Sequence, residues 1–271
     1  MTTSPVCLRV KGNFACFTRP EFHVERVSYP VITPEAARGI FEAILMKPVE
    51  KPEQEKRHNK IGFRWRVTRI GVVNKGVFFS ILRNELGYGT HQEPAKAFGY
   101  NIHAERTQRN SLILTGGADE DGERRPLEYL IEAVIEVAID KRADRNSGGV
   151  FLAQKYREMF LRRARKGQCF YQPFLGCREF SVSEWSLEEN PPEKIDGQPA
   201  RESFGMIFHR FDFSPVWKLW GVEEKTQRGI PRPQDGWGKK ENRPVPLFFD
   251  ANAEYGWIRV PENGKEVFND R

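Results

Sequence analysis

The chain has 271 residues, with 43 Lys plus Arg against 37 Asp plus Glu and a formal net charge of +6. At 39% hydrophobic and 30% charged residues, no apolar run approaches the roughly 18 residues of a membrane-spanning helix. The 20 Phe, 7 Tyr and 6 Trp carry too much core-forming surface for a disordered tail.

The length suits one large domain or two small ones. No basic stretch followed by an apolar stretch opens the chain at Met1-Thr2-Thr3-Ser4-Pro5-Val6, so a cytoplasmic protein is expected. Cys7, Cys16, Cys169 and Cys177 form no C-x-x-C pair and have no His at zinc-ligand spacing, which predicts four reduced, mostly buried thiols.

Val6 to Val10 alternates apolar and basic residues, turns at Gly12-Asn13 and resumes at Phe14 to Phe17, a bent strand. Thr33-Pro34-Glu35 supplies an N-cap, a first-turn proline and an early acid. Ala37, Ile40, Phe41, Ile44 and Leu45 then mark one face of a helix from Pro34 to about Met46. Phe63 to Ile70 reads as a half-buried strand with arginines on its outer face. From about Arg83 to Arg125 the pattern loses its period and becomes rich in Gly, Asn, His and Arg. That predicts an extended loop or hairpin excursion, exposed and flexible until a partner orders it.

The β-branched run from Leu127 to Ile139 predicts a central strand. After a turn at Asn146 to Gly149, Leu152, Tyr156, Met159, Phe160 and Arg163 or Ala164 trace one face of a second helix ending near Gly167. A strand is expected near Phe170 to Phe174. The order is then βαββαβ, an α+β ferredoxin-like core with a long insertion. A Pro-, Glu- and Gly-bearing connection from Gly176 to Pro199 separates this core, residues 1–180, from a small C-terminal antiparallel sheet in residues 181–271. Its strands are expected at Phe204 to Phe213, Pro246 to Ala251 and Tyr255 to Val260, with a basic loop at 221–243.

The densest cations lie on the second helix. Positions 155, 158, 162, 165 and 166 flank its apolar stripe, so Lys155, Arg162 and Lys166 should project from one side, a face that could track a phosphate backbone or simply complement the helix dipole. Arg64, Arg66 and Arg69 beside Trp65 form a basic and aromatic mix suited to RNA, or to an edge strand with a charged outer face. No P-loop, Rossmann turn, nucleophile elbow, metallohydrolase or EF-hand motif is present. His23, His58, His91, His103 and His209 are scattered, and neither metal nor cofactor is expected. RNA cleavage does not require a metal. A base takes the 2′-hydroxyl proton, a cation stabilises the phosphate, and an acid protonates the leaving 5′-oxygen.

Asn13-Phe14-Ala15-Cys16-Phe17-Thr18-Arg19-Pro20-Glu21, Glu25-Arg26-Val27-Ser28-Tyr29, Thr33 to Ile40 and Phe174-Leu175-Gly176-Cys177-Arg178-Glu179-Phe180 closely resemble the CRISPR-associated Cas family five, subtype I-C or "Dvulg" branch. Weaker similarity runs through Arg83-Asn84-Glu85, Tyr129 to Val137, Arg162 to Gln168 and Pro246 to Phe249. The resemblance implies a RAMP-type, RRM-like core that binds the CRISPR repeat RNA and its 5′ handle beside other Cascade subunits and cuts the precursor RNA without metal. The alternative is a non-catalytic subunit that caps the handle. Lys155 matches the family's catalytic lysine, Tyr156 stands at its histidine position and Leu45 at its aromatic position. The implied catalytic pair is Lys155 and Tyr156, with His58, His91 and His103 as further proton carriers by type. Arg26, Arg38 and Arg83 in the matched segments join Arg64, Arg66, Arg162, Arg163, Arg165 and Lys166 as expected RNA contacts.

Overall fold

A computed structural model describes residues 3–22, 25–47, 62–86, 92–94, 100–102, 106–118, 121–137, 148–212, 244–263 and 265–266. Strand β1 (Val6–Gly12) pairs antiparallel with both β9 (Leu127–Val137) and β10 (Glu184–Leu187), while β9 pairs on its other side with β4 (Phe63–Asn74). Helix α1 (Pro34–Ile44) connects β1 toward β4, and α2 (Gly148–Arg165) follows β9. Beyond β4 the same sheet continues through β13 (Trp257–Arg259), β12 (Val245–Glu254) and β11 (Arg201–Asp212), and β14 (Lys265–Glu266) lies against β12. The C-terminal strands thus extend the main sheet rather than forming a separate one.

A second sheet is built on β8 (Arg106–Thr115). One edge pairs with β5 (Val77–Leu86) in an unbroken antiparallel ladder, and the other takes β2 (Phe14–Ala15) and β3 (Arg26–Val27). The expected excursion at 83–125 is therefore mainly a long hairpin. Short strands β6 (Gln92–Pro94) and β7 (Tyr100–Ile102) pair within it. Two boundaries move. The aromatic run at 170–174 makes only one isolated bridge, Phe174 to Ser181, and the strand that closes the core is β10, inside what reads as a connection. Helix α2 begins at Gly148, within the expected turn.

Local chemistry explains these elements. The Thr33 side chain accepts from the Ala36 N–H, and Pro34 opens the first turn of α1. Strict alternation from Phe63 would place Arg69 in the core. A bulge at Thr68 absorbs one residue, so Val67 pairs Ala133 and Arg69 pairs Glu132. Ile70 then stays buried while Arg69 joins Arg64 and Arg66 on the opposite face. Trp65 is buried on the helix side, so it is not a neighbour that could stack bases beside those arginines.

That side of the sheet is closed by an aromatic cluster. Phe41 of α1 stacks on Phe160 of α2 with centroids 5.3 Å apart, and Trp65 touches both at 4.9 and 4.6 Å. Phe63 contacts Trp65 and Tyr156, and the indole N–H of Trp65 donates to the Leu45 carbonyl at 2.9 Å. The other face carries a ladder of ion pairs. Arg9 bridges Glu128 and Glu188, Arg69 makes a two-pronged contact with buried Glu132 at 2.5 and 2.7 Å, and Arg64 and Arg66 share Glu136. Burial pushes the Glu136 carboxyl up, but hydrogen bonds and charge from Arg66 and Arg64 outweigh it and hold the group below its ordinary value.

Phe160→Ala should remove roughly 3–5 kcal/mol of stability, measured by urea unfolding, because it opens a cavity between both helices and the sheet. A group held below its unfolded value stabilises the fold above that value, about pH 4.3 for Glu, and the contribution fades as pH falls through the lower folded value. Glu136→Gln should therefore cost about 1 kcal/mol at neutral pH, with the difference from the parent protein shrinking as acid titration passes below the unfolded value of about 4.3.

Candidate nucleic-acid interface

Helix α2 presents the strongest cationic surface because its apolar stripe leaves no choice. Ala153, Tyr156, Phe160, Leu161 and Ala164 are buried, and Gln154, Lys155, Glu158, Arg162, Arg165 and Lys166 are exposed. Gln154, Lys155, Glu158, Met159 and Arg162 line an open groove along the helix. Among the described residues Lys155, Arg162 and Lys166 have no ion-pair partner, whereas Arg165 meets Glu189 at 3.1 Å with both groups largely exposed. Such an exposed pair is weak and exchanges easily for a phosphate. Arg163 is half-buried.

The helix ends in a Schellman turn. Gly167 takes φ of +63°, its N–H donates to the Ala164 carbonyl at 3.1 Å, and the Gln168 N–H donates to Arg163 at 2.9 Å. The chain then crosses to α1, where the Phe170 N–H donates to the Ala43 carbonyl at 2.7 Å and satisfies one of the last carbonyls of that helix. The cationic C-terminus of α2 is thereby tied through the backbone to the C-terminus of α1.

Three of the segments that carry the family resemblance, around Cys16, Arg26 and Gly176, meet in one junction. Gly176 has φ of +84°, and a Cβ there would lie 2.0 Å from the Cys16 carbonyl oxygen, so glycine is required where the loop crosses β2. The Cys16 N–H donates to the Leu175 carbonyl at 3.1 Å, and the Leu175 N–H donates to the Phe180 carbonyl at 2.7 Å to close a tight turn. Glu179 on this turn receives Arg26 at 3.2 Å and Arg83 at 2.6 Å, and Arg83 also lies over the Phe180 ring. Two expected RNA contacts therefore converge on one carboxylate, which no sequence spacing reveals.

The remaining candidates divide similarly. Arg38 pairs with Glu35 and, at 3.2 Å, with Glu42, and Arg64 and Arg66 lie on the sheet face away from the helices, with Glu136. The structure brings Lys155, Arg162, Arg163, Arg165 and Lys166 onto one helix and places Arg26 and Arg83 together elsewhere. Lys155 is exposed, while its neighbour Tyr156 is only 8% exposed and packs on Phe63 at 4.9 Å. Burial pushes the Tyr156 hydroxyl above its ordinary value, so at neutral pH it keeps its proton and suits a donor, not a base. Leu45 is buried.

His23, His58, His91 and His103 and the basic loop at 221–243 lie outside the described residues. His209 is buried, and its Nε2 lies 2.8 Å from the Pro261 carbonyl. Among the described residues no three His, Cys, Asp or Glu side chains gather as metal ligands. All four cysteines are thiols, with Cys7 and Cys16 buried and Cys169 and Cys177 half-buried. No helix among the described residues is long and apolar enough to cross a membrane. Sequence reading missed one feature. Phe170 and Tyr171 are exposed, and the available signal was two adjacent aromatics immediately after a cationic helix end.

Comparison with known proteins places this arrangement. The profile of the CRISPR-associated protein family Cas_Cas5, Cas5d form, matches residues 6–261. The CRISPR pre-crRNA endoribonuclease Cas5d of Thermus thermophilus is 35% identical over 263 residues, covering 96% of this chain and 93% of that protein. The enzyme of the same name from Mannheimia succiniciproducens is 35% identical over 266 residues, covering 94% and 93%. A crystal structure of a CRISPR-associated protein shares the fold at a TM-score of 0.53 and 20% identity, covering 97% of this chain and 94% of that one. With three of the matched motifs joined in one structural junction and similarity running nearly end to end, the chain belongs to the Cas5 family of CRISPR-associated proteins, in its Cas5d branch.

Proposed function

We propose that this protein is an endoribonuclease that recognises CRISPR repeat RNA, cuts the precursor without metal and stays on the 5′ handle as a Cascade subunit. The observation that carries this reading is 35% identity, over 96% of the chain, to a curated pre-crRNA endoribonuclease. The strand order β10-β1-β9-β4, all antiparallel and joined through two helices, supports a ferredoxin-like core of the RAMP type.

In the proposed reaction the 2′-hydroxyl oxygen attacks the adjacent phosphorus as a base removes its proton. The P–O5′ bond breaks, leaving a 2′,3′-cyclic phosphate and a protonated 5′-hydroxyl. Lys155 projects into the groove beside Arg162 and is assigned to the charge that develops on the phosphate. Tyr156, whose raised hydroxyl keeps its proton, is assigned to the leaving 5′-oxygen. The backbone would follow Arg162, Arg163, Arg165 and Lys166 at α2, with Arg26, Arg38, Arg64, Arg66 and Arg83 contributing wherever phosphate displaces their carboxylate partners.

One observation favours a second reading, a capping subunit that binds without cutting. Leu45 and Tyr156, which stand at two of the family's catalytic positions, both lie in the hydrophobic core.

Single-turnover cleavage of the protein's own repeat RNA in EDTA separates the two readings. Cutting is expected, and Lys155→Ala should slow it by roughly a hundredfold, equivalent to about 3 kcal/mol, while affinity changes little because many phosphates share the binding. Tyr156→Phe keeps the packing ring and should slow cleavage by about a hundredfold with an unchanged melting temperature. Tight binding by wild-type protein that leaves the RNA intact, with or without magnesium, would establish the capping role.

A further inference from the structure

The segment that follows α2 holds two large rings in water. Phe170 is 83% exposed and Tyr171 42% exposed. Their rings meet edge to face at 6.2 Å, and Tyr171 leans on Phe174 at 6.3 Å with an interplanar angle of 30°. This is not a loose loop. The Phe170 N–H is bound to the Ala43 carbonyl at 2.7 Å, the Gln172 side chain donates to the Val182 carbonyl at 2.8 Å, and the Val182 N–H donates to Pro173 at 2.9 Å. The backbone is anchored on both sides of the rings, so the rings stay at the surface because of the fold, at a hydrophobic cost.

The surroundings define the occupant. Exposed Arg162, Arg165 and Lys166 immediately precede the rings in the chain, and the charges felt by Tyr171 come from Glu42 and Arg178. Two flat apolar faces a few residues beyond a cationic helix end suit a strand that alternates flat bases with anionic phosphates. We propose that Phe170 and Tyr171 form a platform on which an unpaired base of the bound RNA stacks, while Arg162, Arg165 and Lys166 hold the phosphates beside it. The inference rests on the RNA-binding reading above and adds a base contact to it. It is independent of whether the chain cuts, because neither ring belongs to the proposed proton transfers. An aromatic platform of this kind tolerates any base that is unpaired, which ties recognition to RNA shape rather than to a single letter.

The test uses the full chain and repeat RNA from its own CRISPR array, with 2-aminopurine placed in turn at each unpaired position. Wild-type protein should change the fluorescence sharply at one position or at two adjacent ones. Phe170→Ala should abolish that change and weaken binding about tenfold, with the salt dependence of affinity unchanged because no phosphate contact is lost. Phe170→Trp should restore both. Lys166→Ala should give the reverse pattern, keeping the fluorescence change and lowering the salt slope by about one. Both ring positions are exposed, so melting temperature should not move and serves as the control. Wild-type affinity and an unaltered fluorescence change in both Phe170→Ala and Tyr171→Ala would overturn the platform while leaving RNA binding intact, and would assign the rings to a protein neighbour. Failure of wild-type protein to prefer repeat RNA over a scrambled sequence would overturn the functional reading and the platform together.

Discussion

The aromatic contact between Phe41, Trp65 and Phe160 determines how everything above the sheet is oriented. One ring comes from each helix and one from the central strand β4, so the cluster sets the position and the rotation of α1 and α2 together. Successive helix residues point about 100° apart, so placing Tyr156 and Phe160 inward leaves Lys155 and Arg162 outward. The cationic face is thus a by-product of core packing. A change in the ring cluster would turn Lys155 before it changed any charge.

Electrostatics then sorts the arginines into groups with different freedom. A net charge of +6 spread over the surface would suggest diffuse attraction for a polyanion. Instead the sheet face away from the helices is knit by Arg9, Arg64, Arg66 and Arg69 to glutamates on neighbouring strands, and the junction with the hairpin is closed by Arg26 and Arg83 on Glu179. Among the described residues Lys155, Arg162 and Lys166 are without an ion-pair partner at α2, and the Phe170 to Ala43 hydrogen bond joins the C-terminus of that helix to α1.

Much of this was legible in the sequence where the signal is local. The Thr33-Pro34 cap and the stripe from Ala37 to Ile44 define α1 within two residues, and the stripe through Tyr156 and Phe160 correctly puts Lys155 outside. Signals that depend on distant partners were hidden. Arg64 lies 72 positions from Glu136 and Arg83 lies 96 from Glu179, so the same side chains read as open cations in one dimension and as ion pairs in three. Strand β10 has only four residues and a weak alternation, while the aromatic run at 170–174 has the composition of a strand without a ladder to join. The Cas5 motif around Gly176 was recognisable by similarity, but its physical reason, a carbonyl packed where a side chain would sit, required the fold.

The three-residue strand β13 is the sole seam between β4 and the C-terminal strands within the described sheet order. Its turn at Tyr255-Gly256, with φ of 49° and 83°, and the Trp257 ring stacked 4.1 Å from the Arg69 guanidinium hold that seam shut. During synthesis β4 emerges nearly two hundred residues before its partner, so the nascent chain carries an unpaired β edge through most of its translation. Until the last strands arrive, that edge is an adhesive surface. The short hairpin that arrives last pairs with only Arg69, Ile70 and Gly71 of that edge, so three residues of late-made chain carry the join between the first half of the sheet and its end.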